Sequence, residues 1–145
     1  MEWAARASER HRDDPRPKVL TVAEPGTYRI EPMMGPDGPS AGIKALRVER
    51  SGGTILYLEY RRSYGFDAKI DAERINLEGA LLHIRDGYPL ARYTTLIDPI
   101  GPTDVRDAVL PIGVPWTDDL SGSAGATYEV LDHDEHGLII DVAFR

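Results

Sequence analysis

A chain of 145 residues with 41% hydrophobic and 28% charged side chains falls in the range of one globular domain. A disordered chain would carry fewer aliphatics and a more lopsided charge. The 24 acidic residues outnumber the 17 basic ones for a formal charge of −7, and the cations are scattered, which speaks against nucleic acid as a partner. The absence of cysteine excludes disulfide frameworks, thiolate zinc sites and cysteine nucleophiles, and no apolar run is long enough to span a bilayer.

Residues 1–18 read as a polar tail or linker. Two turns of helix could form over residues 2–10, but Arg, Asp and Pro between residues 12 and 17 end them, and the only large apolar side chain beyond Met1 is Trp3. This stretch lacks the continuous apolar core of a signal peptide, so an export signal would have to lie outside the sequence. Residues 19–145 read differently, as short apolar runs punctuated by Gly, Pro, Asp or Ser, the pattern of an all-β domain. A strand over residues 19–23, the turn Glu24-Pro25-Gly26 and a returning strand over residues 27–32 form the first pair. A Gly- and Pro-rich loop covers residues 35–42, and strands over residues 43–50 and 54–61 flank Ser51-Gly52-Gly53 as a hairpin.

In the second strand of that hairpin Leu56, Leu58 and Tyr60 share one face, and Ile55, Tyr57, Glu59 and Arg61 the other. The first face is core; the second mixes apolar and charged groups, as under a loop. Strands follow at residues 79–85 and 93–97, separated by a turn at Asp86-Gly87. Residues 98–116 hold four prolines and read as a long, partly rigid loop. The last pair of strands, residues 127–131 and 138–144, is joined by Asp132-His133-Asp134-Glu135-His136-Gly137, and Leu138, Ile140, Val142 and Phe144 define an inner face. The fold expected is an immunoglobulin-like β-sandwich of about seven to nine antiparallel strands.

Several short segments, in order, resemble a known family. Tyr57-Leu58-Glu59-Tyr60-Arg61-Arg62, then Gly65-Phe66-Asp67, then Gly79-Ala80-Leu81-Leu82-His83-Ile84 are similar to a stretch that follows the catalytic domain in exported zinc metallopeptidases of the immune inhibitor A and gametolysin type. Thr95-Leu96-Ile97-Asp98, Asp107-Ala108-Val109-Leu110-Pro111-Ile112-Gly113 and Trp116-Thr117-Asp118 continue the likeness, which spans about residues 27–144. It implies a secreted or cell-surface, non-catalytic accessory domain that docks on or supports a metallopeptidase catalytic domain. No HExxH motif is present, and His11, His83, His133 and His136 offer no pair four apart on a helix, so the likeness does not imply proteolysis by this chain. The alternative is a stand-alone module binding an extracellular protein or a glycan, for which Tyr57, Tyr60, Tyr64, Phe66 and Tyr88 supply aromatics.

Three groups of residues could carry chemistry. Glu59 and Arg61 share a strand face and Asp67 lies on the turn after it, which suits a salt-bridged clamp, with ligand binding as the other reading. The segment containing Asp132, Asp134, Glu135 and His136 reads as a polar hairpin loop; as a metal site its oxygen-rich set would favour calcium, its imidazoles zinc. Asp118-Asp119-Leu120-Ser121-Gly122 reads as a solvated turn without the spacing of a calcium loop, and His83 as a hydrogen-bonded sheet residue. No G-x-S-x-G elbow is present to support a serine hydrolase.

Overall fold

The structure, a computed structural model of the chain, describes residues 18–38, 40–69, 77–85, 94–101, 108–120 and 125–145. The tail before Lys18 with its His11, the turn at Asp86-Gly87, Tyr88, Tyr93, Asp107 and Ser121-Gly122 lie outside the described residues.

The described chain is all-β, with ten strands in two sheets that share one core, one or more strands beyond the number expected. The strands are β1 (Lys18–Thr21), β2 (Gly26–Ile30), β3 (Ile43–Glu49), β4 (Ile55–Glu59), β5 (Gly79–Arg85), β6 (Thr94–Ile97), β7 (Leu110–Pro111), β8 (Trp116–Thr117), β9 (Thr127–Asp134) and β10 (Gly137–Ala143). One sheet runs β1-β3-β4-β5-β6, with β7 on the free end of β5; the other runs β2-β10-β9-β8. A 3-10 helix, Gly65–Lys69, occupies the Gly-Phe-Asp turn.

Period two sets the core. In β3, β4 and β5 the inward rows are Leu46 and Val48, Leu56 and Leu58, Ala80 and Leu82, all buried, and cross-strand pairing puts Leu46 opposite Leu58 and Leu58 opposite Leu82. From the other sheet Ile30, Tyr128, Val130, Leu138, Ile140 and Val142 close the core. The β3–β4 hairpin forms as the sequence indicates. Gly52 and Gly53 take positive φ (102° and 80°), which a side chain disfavours, and the Arg50 N–H donates to the Thr54 carbonyl at 3.0 Å.

Three expectations about the strands are corrected. β1 and β2 are not a hairpin: β1, starting at Lys18, runs parallel to β3, whereas β2 pairs with β10 in the opposite sheet. Leu20 and Val22 contribute to the core from one side and Ile30 from the other, so Glu24-Pro25-Gly26 is a corner between sheets. Residues 98–116 are not all loop. Ala108, Val109 and Leu110 are buried, β7 pairs with Gly79 and Ala80, and Ile112 then bridges Val130 in the other sheet. Gly79 permits this approach, since a Cβ there would lie 2.3 Å from the Leu110 carbonyl oxygen.

The third correction concerns residues 132–137. β9 continues to Asp134 and β10 begins at Gly137, leaving a two-residue turn. Ile140 faces Val130 but Ile139 faces Asp132, so Leu131 is an inserted, bulged residue. Without the bulge, Asp132 and Asp134 would continue the inward row of Tyr128 and Val130. With it they point outward, and half-buried His133 turns toward Tyr60, ring centroids 6.3 Å apart.

The sheets are joined across the core by a buried ion pair. Arg50 Nε donates to Asp118 Oδ2 at 2.7 Å and Arg50 Nη2 to Asp118 Oδ1 at 3.1 Å, with side-chain exposures of 2% and 1%. Thr54 Oγ1 and the Leu120 carbonyl accept further Arg50 bonds. The solvated turn expected at Asp118 is therefore a buried anchor. Nearby, burial pushes the Tyr128 hydroxyl well above the usual phenol range, with the Asp118 charge acting in the same direction.

Leu58→Ala and Ile140→Ala should each cost about 2–5 kcal/mol, as large-to-small core changes do, read from urea midpoints at unchanged m-value. Parent-like midpoints would mean that these faces are not core. Arg50→Met leaves Asp118 buried without its main cation and should cost about 3–5 kcal/mol, whereas Arg50→Met with Asp118→Leu should recover most of that loss. A double variant whose loss equals the sum of the two single losses would show that the pair is not coupled.

Candidate functional site

Two polar clusters stand out, one on the outer face of the β3-β4-β5 sheet and one at the end of the molecule where the loops meet.

On the outer face Glu59, Arg61 and Asp67 come together. Period two sends Glu59 and Arg61 to the same side, and the 3-10 helix brings Asp67 back to them. Arg61 Nη1 lies 3.1 Å from both Asp67 carboxylate oxygens, and its Nε and Nη2 donate to Glu59 at 3.4 and 3.3 Å. His83, opposite Tyr57 on β5, places Nε2 3.0 Å from Glu59 Oε1, so this histidine is a hydrogen-bonded sheet residue. The side chains of Glu59, Arg61 and Asp67 are 16%, 30% and 13% exposed.

Burial alone would raise the Glu59 pKa, but the His83 hydrogen bond and the Arg61 cation overcome it and hold the carboxyl below its usual range. Burial likewise works against the Arg61 cation, and Glu59 and Asp67 more than offset it. Each of these charges is met by another group of the cluster. The arrangement ties the 3-10 helix to the sheet.

At the loop end, a cleft of about 110 Å³ is lined by residues that include Arg29, Glu31, Asp37, Ser40 and His136. Beside it Lys44 is almost completely buried. Its Nζ donates to the Pro32 carbonyl at 3.0 Å, to Glu31 Oε2 at 3.4 Å and to Ser40 Oγ, and Ser40 in turn donates to Glu31. That hydrogen bond from Ser40, opposed by some burial and aided by Lys44, holds the Glu31 carboxyl below its usual range.

Of the residues considered for metal only His136 lines this cleft, and each of the four has a partner in the chain. Asp134 Oδ1 accepts from the His136 and Gly137 N–H groups at 2.8 and 2.9 Å, which closes the β9–β10 turn and lowers the Asp134 pKa. Asp132 Oδ1 accepts from the His133 N–H at 2.9 Å. Glu135 accepts from the Tyr64 hydroxyl at 3.2 Å, and His136 Nε2 lies 3.3 Å from Asp37. Among the described residues no three His, Cys, Asp or Glu side chains are placed to hold a metal ion.

The reading by sequence missed Lys44, Arg50, Glu31 and Ser40, and placed Asp118 on a solvated turn. A signal for two of them exists. Lys44 and Arg50 are in phase with Leu46 and Val48 on β3, so they sit at the two ends of an inward row and must find acceptors there.

Because the folded Glu59 pKa is depressed, the stabilisation it contributes is complete above its unfolded value and is lost as pH falls through the folded one. Parent stability should thus decline below about pH 4.5, and Glu59→Gln should be less stable at pH 7 while losing less on acidification. Arg61→Ala should cost about 1.5–3 kcal/mol, less than loss of Arg50 because the cluster is partly solvated, and a cycle with Asp67→Asn should show coupling. An acid limb unchanged in Glu59→Gln, or zero coupling, would remove the clamp. Set against known protein families, curated proteins and solved structures, the chain matches none of them.

Proposed function

We propose that this chain is a non-catalytic accessory module, a β-sandwich of immunoglobulin-like type, that docks on and supports the catalytic domain of an exported zinc metallopeptidase. The observation that carries the docking reading is the character of the exposed apolar surface. The large apolar side chains exposed among the described residues are all aliphatic, and Ile112, Val114 and Leu131, at 43–45% exposure, gather along one edge of β9. Aliphatic side chains held on a rigid edge suit a protein surface.

A glycan module would instead present a flat aromatic platform. Tyr60 is buried with its hydroxyl on the Asp134 carbonyl, and Tyr57 and Tyr64 are half-buried in separate places. The class of catalytic domain rests on the sequence likeness over residues 27–144, and with it the secreted or cell-surface location. In this reading the paired charges of Glu59, Arg61 and Asp67 hold shape and take no part in a reaction.

The test supplies the chain in trans to a zinc-peptidase domain of the immune inhibitor A type and follows thermal inactivation of that domain. A several-fold longer half-life, lost with Ile112→Asp and Leu131→Asp together, is expected. The chain alone should cleave no casein. No protection at any concentration, or casein cleavage by the pure chain that EDTA abolishes, would overturn the proposal.

A further inference from the structure

Sulfur in this chain is confined to three methionines, since cysteine is absent, so a sulfur-based response to oxidants has only Met1, Met33 and Met34 to act through. Met1 lies outside the described residues. Met33 and Met34 are both half-buried in the segment that leaves β2, open enough to meet a small oxidant. The Met33 N–H donates to the Tyr60 carbonyl at 3.4 Å, which holds this segment beside the chain leaving β4.

The two methionines differ in what they touch. A Cβ built on Gly65 would collide with Met34 Cε and lie 2.9 Å from Met34 Cγ, and the three atoms nearest that position all belong to Met34. The two carbons bonded to the sulfur therefore rest on the backbone of Gly65. Gly65 also takes φ +56°, the left-handed region that favours glycine. It opens the 3-10 helix Gly65–Lys69, whose Asp67 N–H donates to the Tyr64 carbonyl at 3.0 Å and whose Asp67 carboxylate meets Arg61. Met34 thus covers the entrance of the helix with apolar atoms, while Arg61 holds its middle by charge. A 3-10 helix this short has poor hydrogen-bond geometry of its own and depends on such contacts.

We propose that Met34 is a redox-sensitive latch, whose oxidation to the sulfoxide releases the entrance of the 3-10 helix. A sulfur lone pair attacks one oxygen of hydrogen peroxide, an S–O bond forms and the O–O bond breaks. The departing hydroxide takes the proton from the transferred oxygen and leaves as water, so sulfur loses the two electrons that the peroxide gains. The product carries a polar, hydrated oxygen on the atom between the two carbons that rest on Gly65, and the apolar contact gives way to water. Arg61 then holds Asp67 without the packing that keeps residues 65–69 folded beside the end of β4. The core keeps its packing, because Met34 stands outside its cluster of side chains. Met33, equally half-buried but not placed on Gly65, is the comparison built into the chain.

The test treats the full chain with dilute hydrogen peroxide, locates the added oxygen by peptide mass mapping and follows amide hydrogen exchange. Chain oxidised at Met34 should exchange the Asp67 amide several-fold faster than the untreated chain, with β3 and β4 unchanged. Methionine sulfoxide reductase with a dithiol, which closes to a disulfide as the oxygen leaves in water, should restore the slow rate. Met33→Leu should keep the response, and Met34→Leu, an apolar side chain of similar volume, should abolish it. Unchanged Asp67 exchange in chain oxidised at Met34, or a response that survives Met34→Leu, would overturn the proposal, and the first result is read on the parent chain whether or not either variant folds. So would a Met34 left unoxidised in a solution where free methionine is converted.

Discussion

Arg50 leaves the end of β3 pointing into the core and meets the carboxylate of Asp118, 68 residues further along the chain and tied to the opposite sheet through the Asp118 N–H bond to Ala126. Desolvating both charges costs several kcal/mol, which their attraction offsets only in this bidentate geometry, with Thr54, Leu120 and the Asp118 carboxylate sharing the remaining bonds. The pair therefore adds little net stability compared with an apolar replacement. It makes alternatives expensive. A two-residue slip of β3 would keep the same face inward yet place the guanidinium away from Asp118, so the pair fixes register where hydrophobic alternation alone would not.

The same strand repeats the device at its other end. Lys44, Leu46, Val48 and Arg50 form one inward row, apolar in the middle and cationic at both tips, and Lys44 finds Glu31, Ser40 and the Pro32 carbonyl as Arg50 finds Asp118. At the Lys44 end the sheets also meet through the Glu31 N–H bond to the Ile43 carbonyl at 2.7 Å and the Tyr60 hydroxyl bond to Asp134 at 2.6 Å. The core is thus closed at each end by polar groups that satisfy one another.

Elements made by near neighbours in sequence were legible. The β3–β4 hairpin, the inward row Leu56, Leu58 and Tyr60, the limits of β5 and the meeting of Glu59, Arg61 and Asp67 all follow from period two and one turn. What was not legible depends on distant partners. Nothing in Val19 or Thr27 says that β1 and β2 belong to different sheets, since that choice is made by β3 and β10. The prolines around Leu110 hid β7 because proline does exclude central strands, and β7 is an edge pair of two residues. The bulge at Leu131 hid the end of β9, because it breaks the alternation by which a strand is recognised.

These limits bear on function as well. Charges visible in the sequence as candidate chemistry, at Glu59, Arg61, Asp67, Asp132 and Asp134, each have partners within the chain, in the ion-pair cluster of the first three and on neighbouring backbone N–H groups for the last two. The exposed aliphatics of the described residues, Ile112, Val114 and Leu131 among them, belong to no motif. Surfaces of that kind bind by burial, whose strength depends on shape and only weakly on salt. Ion pairs set the shape of the two sheets, and the aliphatic edge at β9 is what the proposed docking would use.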